Sequence, residues 1–150
     1  MTPMRLISML LSWSIVGFVA SATLAQTSAN YTSVEAISGK PVQLTYHASA
    51  HKNCTPAPPP TVRVIEPPKS GTLTVRRAEL TTDRVAGCPA VKTPVQVVFY
   101  QARALYAGPD HVSYDVTSEN GEVATYDVTI TVKAPPATSP PAGDAGARHL

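Results

Sequence analysis

Between residues 31 and 133, the sequence consists of short runs in which apolar and polar side chains alternate with a period of two. This period places successive side chains on opposite faces of a β-strand, and no stretch of the region has the period of an amphipathic helix. Prolines, glycines and asparagines separate the runs. The pattern predicts an all-β domain of about seven strands at spacings of roughly 8 to 15 residues, arranged as two packed antiparallel sheets.

The alternation is clearest in the second half of the domain. Residues 95–100 are apolar on both faces, which predicts a strand in the centre of a sheet. Residues 112–117 and 124–133 each have one apolar face, and the turn between them contains Asn120-Gly121, which supplies the positive φ angles of a tight hairpin. In residues 42–47, the alternation predicts one face made of Val42, Leu44 and Tyr46 and an opposite face made of Gln43, Thr45 and His47.

The first 25 residues have the composition of a secretory signal peptide. One basic residue, Arg5, precedes an apolar run that ends near Ala20, and small residues follow as far as Ala25. Cleavage after Ala25 or after Ala22 suits a signal peptidase, and an uncleaved anchor helix is the alternative. No membrane span is expected after removal of the signal.

The other end of the chain, residues 134–150, is rich in alanine, proline, glycine, threonine and serine and has no apolar periodicity. Such a segment cannot bury enough surface to offset the entropy lost on ordering it. The expected organisation is therefore a signal peptide (1–25), one folded domain (26–133) and a disordered tail (134–150).

Two cysteines, Cys54 and Cys88, are the only ones in the chain. An even number without CxxC spacing, in an exported chain, predicts one structural disulfide, and the alternatives are free thiols or metal ligands. A disulfide and a signal peptide together predict a periplasmic or extracellular protein.

The charge of the chain excludes one class of partner. The net charge is +2, and the only adjacent basic pair is Arg76-Arg77. A nucleic-acid-binding protein needs a basic stripe that displaces counterions from phosphates, so no nucleic-acid partner is expected.

Three segments resemble bacterial Ig-like and cadherin-like repeat domains: Ser70-Gly-Thr-Leu-Thr-Val75, Tyr106-Ala-Gly-Pro-Asp-His-Val-Ser-Tyr-Asp-Val116, and the closing stretch from Gly121 to Val132. The resemblance implies an immunoglobulin-like (Ig-like) antiparallel β-sandwich that serves adhesion, scaffolding or recognition rather than catalysis. Members of that family usually occur as tandem arrays, whereas this chain has a single copy and lacks the acidic calcium-binding strings of cadherin repeats. The two cysteines are not a usual feature of those repeats either.

Four of the matching positions have a direct physical interpretation. Gly108 is expected where only a glycine backbone fits, and Asp110 is expected to cap the turn that enters its strand. Tyr114 and Tyr126 are expected to bury their rings while their hydroxyls stay near the end of the sheet.

A small set of side chains could bind a metal ion. His47, His51 and Cys54 stand close together in the sequence, and His111 could join them in space to bind copper or zinc. The simpler interpretation is an outward-facing strand residue, a loop histidine and half of a disulfide. The sequence has no GxSxG, HExxH or glycine-rich phosphate loop, so we expect neither an enzyme nor a cofactor.

The leading hypothesis is an exported, non-enzymatic binding or structural module with a protein or cell-envelope partner. Its expected contact surfaces are the edge strands and two loops. One loop runs from Cys54 to Pro60 and includes Pro58 and Pro59, and the other is the turn from Tyr106 to Asp110. The alternatives are a small periplasmic metal carrier that uses His47, His51 and His111, and an exported hydrolase inhibitor.

Overall fold

A computed structural model describes residues 27–137 of the chain. The predicted signal peptide and residues 138–150 of the predicted tail lie outside the described residues. Residues 134–137 follow the last strand and belong to no regular element. Within the described residues, no helix is long and apolar enough to cross a membrane.

Seven strands make up the regular structure of the described region: β1 (Ser28–Ile37), β2 (Pro41–Ala48), β3 (Thr61–Glu66), β4 (Gly71–Thr82), β5 (Val91–Ala102), β6 (Gly108–Thr117) and β7 (Val123–Lys133). They form a four-stranded sheet in the order β1-β7-β6-β3 and a three-stranded sheet in the order β2-β5-β4. The prediction of an all-β sandwich of about seven strands with one disulfide is thus confirmed.

The strand order differs in one place from the seven-stranded arrangement of immunoglobulin constant domains. In that arrangement the first strand joins the sheet of the second, fifth and fourth strands, whereas here β1 pairs with β7 in the opposite sheet. The β1–β7 pair is parallel, and every other strand pair is antiparallel. The expectation of a purely antiparallel sandwich is therefore wrong for one pair. Parallel pairing between distant segments leaves no local turn signal in the sequence.

The core lies between the two sheets and is built largely from β5, β6 and β7. Its buried side chains share an inward orientation and are Ala36, Val98, Tyr100, Ala102, Val112, Tyr114, Val116, Val128, Ile130 and Val132. Strand β5 lies between β2 and β4, as its apolar faces predict, and Val95 on its other face is also fully buried.

A β-bulge in β2 changes which side chains face the core. Gln43 pairs with Phe99 and Thr45 pairs with Val98, so Leu44 is an extra residue that has no partner of its own on β5. An extra residue reverses the alternation beyond it. His47 therefore faces inward with 7% of its surface exposed, and the prediction of an outward-facing His47 is wrong.

The β6–β7 hairpin is longer than the sequence predicts. Thr117 pairs with Val123, which leaves the five residues 118–122 in the connection. Gly121 has φ of 81°, but Asn120 keeps a negative φ, and its side-chain Oδ1 instead accepts a hydrogen bond from the Glu122 N–H at 3.1 Å. A single left-handed glycine after an ordinary turn is the pattern of a longer hairpin loop.

Candidate functional site

Three turns meet at one end of the sandwich: residues 38–40, 67–70 and 103–107. Arg103 joins them, because its backbone N–H donates to the Ser70 carbonyl (2.9 Å) and its guanidinium donates to the Lys69 carbonyl (2.8 Å). The Ser38 hydroxyl in turn donates to the Arg103 carbonyl at 3.3 Å. We call this group of turns the Arg103 end.

Asp110, near the start of β6, holds the Arg103 end in place. Its carboxylate, which is buried, accepts hydrogen bonds from the backbone N–H groups of Lys69 (2.9 Å), Ser70 (3.0 Å) and His111 (3.0 Å). A fourth bond comes from the Tyr100 hydroxyl at 2.8 Å. Asp110 thus binds the N–H of the next residue in β6 and also holds the β3–β4 turn in place, and it makes no hydrogen bond to the 103–107 turn that enters its strand.

The four hydrogen bonds decide the ionisation of Asp110. Burial by itself would raise the pKa of this carboxyl group, but the bonds from Tyr100, His111, Lys69 and Ser70 favour the carboxylate and leave its pKa below the ordinary value. Burial, followed by the bond to Asp110, raises the pKa of the Tyr100 hydroxyl. Tyr100 remains the donor and Asp110 the charged acceptor at neutral pH.

The most exposed large apolar side chain of the described residues lies in the 103–107 turn of the Arg103 end. Leu105 is 92% exposed and has a left-handed backbone with φ of 66°. Leucine has no short polar side chain that favours this conformation, which costs roughly 1 to 2 kcal/mol. A strained, exposed residue within a well-anchored turn is typical of functional positions.

Tyr106 and Gly108 stabilise the turn that contains Leu105 and are not themselves exposed contact residues. The Tyr106 ring is half-buried against the core, and its hydroxyl donates to the Pro109 carbonyl at 2.6 Å. Gly108 has φ of 144°, and a Cβ atom there would lie 3.0 Å from the Tyr106 hydroxyl oxygen. The backbone conformation therefore favours glycine, and a Cβ atom would also force the Tyr106 hydroxyl to shift.

A hollow of about 390 Å³ opens beside this turn. Tyr106, Pro109, Lys69 and His111 are among the residues that line it. His111 also lies between two carboxylates: its Nε2 is 2.8 Å from Asp127 Oδ1 and its Nδ1 is 3.6 Å from Glu66 Oε2. The Arg103 end thus combines an exposed apolar side chain with a polar concavity of ligand-pocket size.

An aromatic cluster lies toward the opposite end of the sandwich. The Tyr114 and Tyr126 rings stack at 5.4 Å between centroids, and the His47 ring meets Tyr126 edge-on at 4.5 Å. His47 Nε2 lies 3.4 Å from the Tyr114 hydroxyl oxygen. Burial lowers the pKa of His47 to about 4, so the ring is neutral at physiological pH and packs as an aromatic core residue.

A cleft of about 310 Å³ reaches this cluster from the surface. His47 and Tyr126 form part of its wall, and Tyr46 and Arg84 lie at its rim. The Arg84 guanidinium stacks over the Tyr46 ring at 4.8 Å from the ring centroid, and the Tyr46 and Thr82 hydroxyls are 2.8 Å apart.

The disulfide joins Cys54 in the β2–β3 loop to Cys88 in the β4–β5 loop, with Cα atoms 5.4 Å apart. It indicates an oxidising, non-cytoplasmic compartment. Of the three prolines nominated in this loop, Pro58 is exposed, Pro59 is half-buried and Pro60 is buried. The stapled loop therefore exposes Pro56 and Pro58, which are separated by the buried Ala57, rather than a continuous proline surface.

The histidines considered as metal ligands occupy three separate environments. His47 lies in the aromatic cluster, His51 pairs with Glu119 at 3.4 Å, and His111 lies between Asp127 and Glu66. Cys54 is taken up by the disulfide. Residues 27–137 contain no group of three or more potential ligands that could hold a metal ion.

Comparisons with protein-family models, with curated proteins and with solved structures each return no match for this chain. The resemblance to bacterial Ig-like repeats therefore remains a prediction from sequence, and the class of protein rests on the fold and the geometry above.

Sequence reasoning nominated Tyr106 to Asp110 but missed Leu105, which stands one position earlier. A leucine between two predicted strands has no pattern that distinguishes an exposed side chain from a buried one. The partners of Asp110 at Lys69 and Ser70 were also missed, because they lie about 40 positions away in the sequence.

Proposed function

We propose that the protein is an exported, non-enzymatic binding module that inserts Leu105 into an apolar pocket of a protein partner. The observation that carries this proposal is a leucine, 92% exposed, held in a left-handed conformation at the centre of an anchored turn. Because the backbone of this turn is already fixed, binding through Leu105 loses little backbone entropy, and a preorganised apolar side chain position makes an effective anchor.

The surroundings of Leu105 support a protein partner. The hollow beside it is lined by Lys69, Glu66 and His111, so the apolar anchor is bordered by charged and polar groups. Interfaces commonly have such an apolar centre with a polar rim. The bonds of Arg103 and Asp110 hold the backbone beneath the anchor, which favours recognition by a preformed surface.

The site of action that we propose is the periplasm or the exterior of the cell. The disulfide supports an oxidising compartment, and the composition of residues 1–25 supports export with cleavage after Ala25. Intact mass of the exported protein tests this part, because the expected product begins at Gln26 and is lighter by two hydrogens than the reduced chain.

Site-specific photo-crosslinking tests the binding surface. A photoreactive residue in place of Ala104, which is exposed next to Leu105, should give a discrete cross-linked partner in the exported fraction. The same residue in place of Asn120, exposed in the β6–β7 loop, is the matched control and should give none.

Substitution of Leu105 itself then tests whether its side chain, and not the residues around it, provides the binding energy. Leu105→Gly should weaken binding of the captured partner at least tenfold, because it removes the buried apolar contact, and Leu105→Met should stay within about threefold. Unchanged binding by Leu105→Gly would contradict the proposal. If the captured partner is a hydrolase whose activity falls on binding, the module is an inhibitor, which uses the same loop.

A further inference from the structure

A second surface of the molecule lies along β4, on the far side of its sheet from β2, and is independent of the Leu105 turn. We propose that two copies of this chain associate through antiparallel pairing of their β4 strands about a two-fold axis at Ala78. The pairing would join the two three-stranded sheets into one six-stranded sheet.

The β4 edge is long and uninterrupted. Its twelve residues pair with β5 from Gly71 to Thr82 without any register shift, and among the described residues no strand pairs with its other side. Nine of the twelve residues are exposed, and the strand contains no proline. A regular edge of this length presents a row of free N–H and C=O groups that can template another strand.

Two of the other edges carry features that prevent pairing. Strand β2 begins with Pro41 and is bulged at Leu44, and β3 has only six residues and a register shift between Val64 and Glu66. Prolines, bulges and short length are the usual protections of an edge strand.

The charges on β4 are complementary to those of a second β4 strand that runs in the opposite direction. When two copies of one strand pair antiparallel about a two-fold axis, the side chains opposite each other must lie on the same face of the sheet. The axis therefore lies level with one residue, which is opposed to itself, and not between two residues. An axis at Ala78 places Arg77 of each copy opposite Glu79 of the other. Two opposite-charge pairs then flank a small residue that faces its own copy, and each such pair stabilises a sheet by roughly 0.2 to 1 kcal/mol.

Neighbouring positions of the axis are less favourable. An axis at Arg77 or at Arg76 would oppose two identical cations, and an axis at Glu79 would oppose two carboxylates. Like charges directly opposite each other destabilise a sheet. Of the four positions from 76 to 79, only Ala78 avoids such a clash, and it also places opposite charges against each other.

The side chains around the axis suit this register. Glu79 already lies 3.3 Å from Lys92 on the same face, so Arg77 of the partner copy would add a second cation to that carboxylate. Leu80, 37% exposed, would lie opposite Arg76, whose aliphatic stem can cover it. Thr74 and Thr82 would face each other across the pair, which is a favourable combination in sheets.

The expected complex is weak, because a single pair of edge strands buries a small area. Interfaces below about 1,200 Å² of total buried surface belong to the transient class, and we expect dissociation constants in the micromolar range. Part of the stabilisation comes from exposed charges and should fall as salt is added.

Charge reversal tests the register. Sedimentation equilibrium of the complete exported protein should show a monomer–dimer equilibrium, and Arg77→Glu or Glu79→Arg should each raise the dimer dissociation constant at least fivefold. The double variant Arg77→Glu/Glu79→Arg should restore it to within about threefold of wild type, since the opposite pairs re-form with their signs exchanged. Lys40→Glu changes the charge equally in an exposed turn and should leave the constant unchanged.

Each outcome bears on the inference. Restoration by the double variant supports the Ala78 axis, because neither single change nor a general charge effect predicts it. A chain that remains monomeric at roughly 500 µM, well above the micromolar dissociation constant expected for this interface, overturns the proposal. A dimer that responds equally to Lys40→Glu, or that the double variant does not restore, assigns the interface to another surface and also overturns it.

Discussion

The Tyr100 hydroxyl donates a 2.8 Å hydrogen bond to Oδ2 of Asp110, and this bond links the central strand of one sheet to a strand of the other across the core. Both side chains are buried, and the same carboxylate fixes the β3–β4 turn through the Lys69 and Ser70 amides. One carboxylate therefore connects the packing of the two sheets to the shape of the loop end that carries Leu105.

Substitution of Asp110 should destabilise the domain strongly. Asp110→Ala leaves the Tyr100 hydroxyl and three backbone N–H groups without their acceptor, and each buried donor left unpaired costs roughly 1 to 3 kcal/mol. We expect a loss of at least about 3 kcal/mol in the free energy of unfolding, measured by urea denaturation. Tyr100→Phe removes one bond only and should cost about 1 to 2 kcal/mol.

The matched control for Asp110→Ala is Asp83→Ala, because Asp83 is exposed in the β4–β5 loop. It should change the free energy of unfolding by less than about 0.5 kcal/mol. Equal losses at the two positions would contradict the role given to Asp110. Since hydrogen bonds lower the folded-state pKa of Asp110, its stabilisation should be present above the unfolded pKa and disappear as the pH falls through the folded value.

His47 should make the domain sensitive to mild acid. The pKa of its ring falls from 6.5 to about 4 on folding because of burial, so between these values the unfolded chain binds a proton that the folded chain does not. Stability should therefore decrease as the pH falls from about 6.5 to about 4, by a total on the order of 3 kcal/mol. Urea denaturation at intervals across this range measures the slope.

The variant that isolates this effect is His47→Phe, which keeps a ring against Tyr126 but cannot be protonated. It should flatten the pH dependence between pH 4 and 6.5. An unchanged slope in His47→Phe would show that another group titrates.

Loss of the disulfide should weaken the fold without changing its topology. Cys54 and Cys88 are separated by 34 residues, and closure of a loop of this length stabilises a domain by about 3 to 4 kcal/mol in the chain-entropy model. Cys54→Ser/Cys88→Ser should therefore lower the free energy of unfolding by that amount while the circular dichroism spectrum stays β-rich. Added reductant should destabilise wild type but not the double variant, which serves as the control.

Leu105 and Gly108, which both have a positive φ, should respond in opposite ways to substitution. Gly108→Ala introduces a Cβ atom 3.0 Å from the Tyr106 hydroxyl oxygen at φ of 144°, and should cost about 1 to 3 kcal/mol. Leu105→Gly relieves the left-handed strain at φ of 66° and should leave the stability within about 1 kcal/mol of wild type, on the stabilising side. Thermal unfolding of the two variants measures both effects, and a large loss in Leu105→Gly would show that its side chain is a structural element.

The sequence predicted those strands whose residues alternate without interruption. Val112, Tyr114 and Val116 in β6, and Val128, Ile130 and Val132 in β7, are buried as their alternation requires. The same rule failed at His47, because one bulged residue, Leu44, shifts the alternation by one position and the sequence carries no signal for it. Bulges depend on the pairing with a distant strand.

The candidate site was less predictable than the fold. Cys54 and Cys88 could be paired because there were only two cysteines, and Gly108 and Asp110 could be nominated because glycine and aspartate have specific roles at turns. The exposure of Leu105 and the gathering of three turns around Arg103 depend on contacts between residues more than 30 positions apart. Such contacts follow from strand order, and local patterns do not encode it.

The parallel pairing of β1 with β7 has a mechanical consequence. Ser28 lies beside Ala124 and Ile37 lies beside Lys133, so the chain enters β1 at one end of this ladder and leaves β7 at the other. A force that pulls the two flanking segments apart therefore acts along the ladder and loads its hydrogen bonds together, in shear, instead of opening them one after another. When tension acts between the two flanking segments, this strand pair is the part of the domain that bears the load.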